Sequence, residues 1–281
     1  MIDLHLHTTA SDGRLAPAAV VRLAAASGLT TIAVTDHDTT AGLAEARAAA
    51  GAAGLRLIDG IEITAVEDGR DVHVLGYFFN PEDEGLRAFL LDQRADRLRR
   101  VREMSVRLAS LGAPVDLEPH LEAAARQAGR SIGRPLVADA LVQAGHVRDR
   151  AEAFDRLLAV GRPAFVPRRG APLEAVAGIV AAAGGITSLA HPGLTGIDER
   201  IARFAAAGLD ALEARHSDHD PSVEARYRRM ARGLGLAVSG GSDFHADPSH
   251  HAPALGIVTL PPEDFAALEA RAAERRRVGA G

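Results

Sequence analysis

Two rhythms of apolar residues share this chain. Short β-branched or aliphatic runs of four to eight residues read as strands, and stretches with apolar residues every three or four positions read as helices. The opening Ile2-Asp3-Leu4-His5-Leu6-His7 predicts a strand. Pro17 starts a helical pattern that Ser27-Gly28 closes. A buried parallel strand is predicted over 30–35, ending in Asp36-His37-Asp38-Thr39, and Thr39 or Thr40 is placed to cap a helix over 41–50. Runs at 55–64 and 71–78 predict further strands. The rhythm then changes. A charged helix is predicted over about 84–111, and shorter helical patterns follow at 117–128, 133–145 and 151–160. The next strand-like run is 164–166. Helix and strand then alternate again: helix 173–183, strand 186–190, helix 201–207, strand 209–213, helix 223–234, strand 236–239, a short strand at 255–260 and a helix from about 263. Such alternation, with polar residues at strand ends, fits a barrel or a doubly wound sheet. The helical interlude divides the chain into an α/β body at 1–91 and 171–281 and an insert at 92–170.

Composition narrows the function classes. With 281 residues, 47% hydrophobic and 25% charged, the chain suits one large globular domain, or a domain with an insert. No apolar run is long enough to span a bilayer, and no signal sequence is read at the start, so the expected location is cytoplasmic. With no cysteine, any metal must be held by His, Asp and Glu. A net charge of −5 argues against duplex DNA as a partner. Every Lys-or-Arg position is arginine, which suits bidentate phosphate recognition but also fits coding bias. The arginine-rich helix at 84–111 reads more readily as a solvated face than as an RNA track.

The chemistry is legible in where the histidines fall. His5 and His7, two apart on a strand, project to one face. Taken alone, the pair fits a metal site or an incidental arrangement equally well. His37, His191 and His245 also stand at or just past strand ends, as do Glu62 and Asp243, and His73 lies on a strand. In parallel α/β folds that end of the sheet carries the chemistry. Together these residues point to a polynuclear metal site.

The motifs His5-x-His7, Ser11-Asp12-Gly13, Thr35-Asp36-His37-Asp38, Gly60-Ile61-Glu62, His73-Val74-Leu75-Gly76-Tyr77, Ala190-His191-Pro192-Gly193 and Ser242-Asp243-Phe244-His245 resemble the PHP (polymerase and histidinol phosphatase) superfamily. Ser131-Ile132-Gly133-Arg134-Pro135 and Gly161-Arg162-Pro163-Ala164-Phe165-Val166-Pro167 resemble its branch that hydrolyses 3′,5′-nucleoside bisphosphates, which also includes enzymes trimming short RNA from the 5′ end. The resemblance implies a distorted (β/α)7 TIM-like barrel with a small helical inserted domain. It also implies three divalent metal ions, Mn2+ foremost, with Fe2+ or Zn2+ as alternatives. The first would take His5, His7, Glu62 and Asp243. The second would share Glu62 and add His73 and His191. The third would take Asp12, His37 and His245. Three divalent cations against three carboxylates leave surplus positive charge, which favours a phosphate ester as substrate.

In this reading Asp243 and His245 also serve catalysis. His216 is the candidate acid or phosphate contact, the alternative being a surface histidine beside Asp218 and His219. Arg134 would grip a second phosphate, with Ser131 adding a hydroxyl donor and Arg168 and Arg169 as weaker candidates. The alternative for Arg134 is a helix-end ion pair. His120, His146, His250 and His251 are given no site role. Leu136 departs from the family, where His often follows Gly-Arg-Pro. The expected reaction is removal of the 3′-phosphate of a nucleoside bisphosphate by a metal-bound hydroxide. Alternatives are 5′-to-3′ exonucleolysis of short RNA, histidinol-phosphate hydrolysis and, least favoured, a non-catalytic metal or nucleotide sensor. The oligomeric state is not readable.

Overall fold

The computed structural model describes every residue except 127–128, 248–253 and 280–281. Seven strands lie side by side in chain order: β1 (Ile2–Leu6), β2 (Thr31–Val34), β3 (Arg56–Glu67), β4 (Arg70–Tyr77), β5 (Ile186–Leu189), β6 (Ala211–Arg215) and β7 (Ala237–Gly240). Between and after them come α1 (Pro17–Ala26), α2 (Leu43–Ala53), α3 (Glu84–Ser110), α4 (Glu118–Arg126), α5 (Arg134–Gln143), α6 (Arg150–Ala153), α7 (Leu173–Ala182), α8 (Ile201–Ala206), α9 (Pro221–Leu234) and α10 (Pro262–Gly279). The sheet curls into a nearly closed barrel. The segment after β7 meets β1, with the His7 N–H donating to the Phe244 carbonyl at 2.9 Å. Gly241 permits this closure, because a Cβ there would lie 2.4 Å from the His5 nitrogen.

The expected distorted (β/α)7 barrel is therefore present, and its distortion has a specific source. β3 and β4 form an antiparallel hairpin, and β4 also runs antiparallel to β5. The turn is Asp68-Gly69, both at positive φ (48° and 76°), the combination a tight hairpin turn requires. Asp-Gly between two apolar runs is a strong hairpin signal, which the sequence reading of 55–64 and 71–78 as successive strands did not use. Because β4 is inverted, its first half, carrying His73, lies at the same barrel end as the C-terminal ends of β1, β2 and β5.

The apolar residues divide into separate clusters. One, with Val20, Ile61, Ile63, Leu86, Leu90 and Val180, packs helices onto the barrel's outer wall. Another, with Val101, Met104, Leu108, Val137, Leu141 and Leu158, belongs to the helical interlude. α3 supplies residues to both.

Other expectations need correction. Thr39 and Thr40 do not cap α2, whose N-cap is Gly42 without a side-chain bond; the Thr39 hydroxyl instead donates to the Gly129 carbonyl. Residues 164–166 and 255–260 are not strands. Neither forms a ladder: 255–260 meets β1 through the Leu260 amide, which donates to the Ile2 carbonyl at 2.8 Å, and a strand needs a run of such bonds. The helix expected over 151–160 is one turn of α6 followed by a π-helical turn, Phe154–Leu158. The arginine face of α3 is not uniformly solvated: Arg97 and Arg100 are 8% and 4% exposed. His250 and His251 lie outside the described residues.

Candidate active site

Glu62 stands at the centre of the barrel mouth, 1% exposed. One carboxylate oxygen, Oε2, lies 3.3 Å from His5 Nε2, 3.1 Å from His7 Nε2 and 3.1 Å from His37 Nδ1. The other, Oε1, lies 2.8 Å from His73 Nδ1 and 3.1 Å from His191 Nε2. Asp243 Oδ1 completes a group with His5 and His7, at 3.3 and 3.1 Å. Asp12 reaches His37 at 3.6 Å and His245 at 3.4 Å. Donor atoms converge in four overlapping groups: His5, His7, Glu62 and Asp243; His7, Asp12, His37 and His245; His37, Glu62 and His73; and His5, Glu213 and His216. All nine residues expected as ligands from sequence thus lie in one contiguous cluster. Asp243 and His191 are held in the left-handed backbone region, at φ 55° and 27°. Positive φ in a non-glycine residue is costly and clusters at functional sites.

Beside this cluster, α3, α5 and the segment before α7 bring four guanidiniums into a cleft of ≈ 110 Å³ shared with Asp12, His37 and His73. Arg97 and Arg168 both bond Asp38 Oδ2, at 2.6 and 3.1 Å. Arg134 bonds Asp71 at 3.2 Å and lies over the rings of Phe154 and Phe165, 5.8 Å from each centroid. Arg100 donates to the Val166 carbonyl at 3.0 Å, while its Nη2, buried, has no hydrogen-bond partner among the described residues. Four guanidiniums against the carboxylates of Asp12, Asp38 and Asp71 leave one positive charge in excess. Ser131 is not part of this wall; its amide bonds Ala10 at 2.8 Å and its buried hydroxyl lacks a partner among the described residues. Arg169 is exposed. The alternative reading of His216 as a surface residue does not hold: it is 3% exposed, with Nε2 3.5 Å from Asp243 Oδ2.

A family model for the PHP domain matches residues 3–132. The chain is 36% identical over 252 residues to a 3′,5′-nucleoside bisphosphate phosphatase of Chromobacterium violaceum, covering 87% of each protein. The chain belongs to the PHP family. It is also 36% identical over 248 residues to a 5′-3′ exoribonuclease of Haemophilus influenzae, covering 86% of this chain and 89% of the relative. Among solved structures, one described as a metal-dependent phosphoesterase from Bifidobacterium adolescentis superposes with a TM-score of 0.84 at 33% identity, covering 96% of both chains. An amidohydrolase from C. violaceum, with bound sulfate and no metal, superposes with a TM-score of 0.83 at 35% identity and the same coverage. This PHP protein is a metal-dependent phosphoesterase, a hydrolase of phosphoric esters whose relatives act on nucleotides or RNA. Among the described residues, no helix is long and apolar enough to cross a membrane.

The electrostatics of the PHP site match its chemistry. Burial pushes the carboxyls of Asp12, Glu62 and Asp243 up, but the surrounding imidazoles outweigh it and hold all three well below the usual carboxylate range. Burial pushes His5, His7 and His191 down, yet the carboxylates win. His5 rises beside Glu213, Asp243 and Glu62, His7 reaches about 10 between Asp243 and Glu62, and His191 rises beside Glu62. Burial and the neighbouring His7 and His73 hold His37 well down. Among the described residues, His7 Nδ1 and Nε2, His37 Nδ1, Asp12 Oδ1 and Asp243 Oδ1 are buried without a sound hydrogen bond. Orphaned polar atoms of this kind are rare in folded proteins, and mixed imidazole and carboxylate donors suit divalent metals.

Several supporting residues went unassigned in the sequence. Glu213, buried in β6, bonds His5 Nδ1 at 2.9 Å and accepts from the His191 N–H at 2.7 Å. Asp36 accepts from the Thr8 amide, the Thr8 hydroxyl and the Ser11 hydroxyl at 2.6–2.7 Å, fixing the loop that carries Asp12. Asp3 accepts from the amides of His5 and Ser242, at 3.2 and 2.9 Å, tying β1 to the Asp243 loop. The strand-end rule that found the histidines applies equally to Glu213.

Proposed function

We propose that this PHP protein hydrolyses the 3′-phosphate of 3′,5′-nucleoside bisphosphates, using three divalent metal ions. The observation that carries the reading is the pairing of the imidazole–carboxylate cluster with the arginine cleft, which share Asp12, His37 and His73. One site suits the phosphate that is cleaved and the other a second phosphate. The net positive charge of the cleft suits a phosphate anion.

His5, His7, Glu62 and Asp243 would hold the first ion, Glu62 with His73 and His191 the second, and Asp12, His37 and His245 the third. Mn2+ is the proposed metal, with Fe2+ or Zn2+ compatible with the same donors. Bound divalent ions supply a water of lowered pKa and offset charge on the phosphoryl group. The chain's residues do the remaining work. Glu62 directs its two oxygens at different imidazole sets, which fixes their spacing. Glu213 holds the His5 ring through Nδ1 and leaves Nε2 facing Glu62 and Asp243. Arg134, clamped between two phenylalanines, and Arg168 orient the second phosphate. His216 Nε2, close to Asp243 and without a hydrogen-bond partner among the described residues, is the proton donor to the leaving oxygen.

A second reading, 5′-to-3′ exonucleolysis of short RNA, is favoured by the similarity to the H. influenzae exoribonuclease. A groove of ≈ 590 Å³ lined by Thr39, Thr40, Arg87 and Arg94 also begins one residue past Asp38 and could take further nucleotides. The test is to reconstitute the protein with metal and assay adenosine 3′,5′-bisphosphate, histidinol phosphate and a 5′-phosphorylated RNA oligomer. The bisphosphate should be turned over with the highest kcat/KM. Arg134→Ala should raise KM for it at least about tenfold and leave a simple phosphate monoester little affected. Equal effects on both would remove Arg134 from substrate recognition.

A further inference from the structure

The arginine cleft, at ≈ 110 Å³, has room for a phosphate group and little else. The rest of a nucleotide needs a second space. The ≈ 590 Å³ groove along α3 shares no wall residue with the cleft. A cavity of ≈ 320 Å³ does: Asp12 and Pro135 line both. Its volume lies at the lower end of the range usual for small-molecule sites. It therefore opens beside the metal-ligand cluster and beside the phosphate cleft at once.

Its chemistry differs from the cleft's. Ile132, Pro135, Leu136 and Ala140, from the start of α5 and the residues before it, form an apolar wall, and Gln143 stands on the rim. The charged residues nearby include a closed set. Arg14 bonds Asp247 at 3.1 Å and Asp139 at 3.2 Å, and Arg150 bonds the same two carboxylates. Two guanidiniums against two carboxylates leave no surplus charge in that set, and Arg130 and Asp12, which also line the cavity, add one charge of each sign, unlike the net positive cleft. A further phosphate gains little there. A flat, neutral ring with polar edges gains an apolar face and rim partners.

We propose that this cavity is the subsite for the nucleobase, with Leu136 and Ala140 forming the surface on which the ring lies. The proposal rests on the nucleotide reading above. Contact through apolar surface and not through a fixed set of hydrogen bonds makes the site tolerant of which base it holds.

The test is calorimetric binding of a nucleoside 5′-monophosphate and of ribose 5-phosphate to the metal-loaded protein, for wild type, Ala140→Phe and Leu136→Ala. Burying the ring should make the nucleotide bind wild type about tenfold or more tightly than the sugar phosphate. Ala140→Phe, which fills the cavity, should collapse that ratio toward one, and Leu136→Ala should reduce it. Equal affinities in wild type, or a ratio that neither variant moves while both keep native circular dichroism, would overturn the proposal. Turnover of the bisphosphate is scored separately. An affinity gap without turnover keeps the base subsite and removes the proposed reaction; turnover without a gap does the reverse.

Discussion

At the scale of single residues, the site is built on imidazoles packed among low-lying carboxylates, those of Asp12, Glu62, Glu213 and Asp243. Replacing His7 or Asp243 by alanine removes a donor common to several contacts. Turnover should be lost in both variants while near-UV circular dichroism stays native; full activity in either would remove that residue from the metal centre. Glu213 acts one step further out, through His5 and the backbone of His191. Glu213→Gln keeps the volume and loses the charge, so metal affinity should fall about 10- to 100-fold, read by titrating apoprotein with Mn2+. An unchanged affinity would reduce Glu213 to a packing role. Seven of the nine ligand candidates were legible in the sequence as His or acid at strand ends, while the place of Asp12 and the grouping of the set came from the family resemblance. Glu213, Asp36 and Asp3 were not singled out, because a carboxylate that supports a ligand looks in sequence like any strand-end acid. Arg97 and Arg100 were hidden by their setting, a helix whose other arginines, such as Arg87 and Arg102, have no comparable tie to Asp38 or Asp71.

At the scale of elements, the join between α3 and the barrel turns on Asp38. Burial pushes its carboxyl up, but Arg97, Arg168 and the Thr64 N–H outweigh that and hold it below the usual Asp range. The folded-state pKa is thus depressed below the unfolded value of about 3.9. Its stabilisation is fully present above that value and is lost as pH falls toward the folded-state one. Asp38→Asn should cost about 3–5 kcal/mol at neutral pH, since two buried guanidiniums lose their counter-ion. It should also flatten the acid limb of the stability curve. Urea denaturation at several pH values checks both effects, and an acid limb as steep as wild type's would show that Asp38 is not its source. Most strands and helices followed from periodicity to within a few residues. The direction of β4 did not, because an apolar run has the same pattern read either way, and only Asp68-Gly69 carried the information. The runs at 164–166 and 255–260 share composition with strands and form no ladder, and whether a run finds one is not encoded in local sequence.

At the scale of the whole molecule, like and unlike charges are packed at the barrel mouth around an imidazole cluster. Ions that bind only the folded protein stabilise it by mass action. At 100 times Kd, each independent site adds about 2.7 kcal/mol. Melting temperature should therefore rise with added Mn2+, and chelation of the metal-loaded protein should lower it. A melting curve indifferent to both would argue against a folded-state metal centre. The arginines Arg14 and Arg150, with Asp139 and Asp247, tie the helical interlude to the loop after β7. The interlude is thus anchored on both sides of the mouth. Its extent was visible in sequence as a change of rhythm, but its attachments were not, since they join residues up to 130 positions apart.

The inverted strand has a mechanical outcome. β4 delivers the chain to the barrel's floor, opposite the metal cluster, and α3 has to climb back along the whole wall. Its 27 residues, at about 1.5 Å each, make a rod of about 40 Å. The first half is embedded in the barrel's apolar wall through Leu86 and Leu90, and the last ten residues carry the cluster of the interlude through Val101, Met104 and Leu108. The roof over the active site is therefore a beam continuous with its post, with no loop between them, and Arg150 pins its far side to the loop after β7 through Asp247. Its near support is where Arg97 and Arg100 meet the carboxylates beside the phosphate cleft. An anion arriving there would load the beam at its point of support.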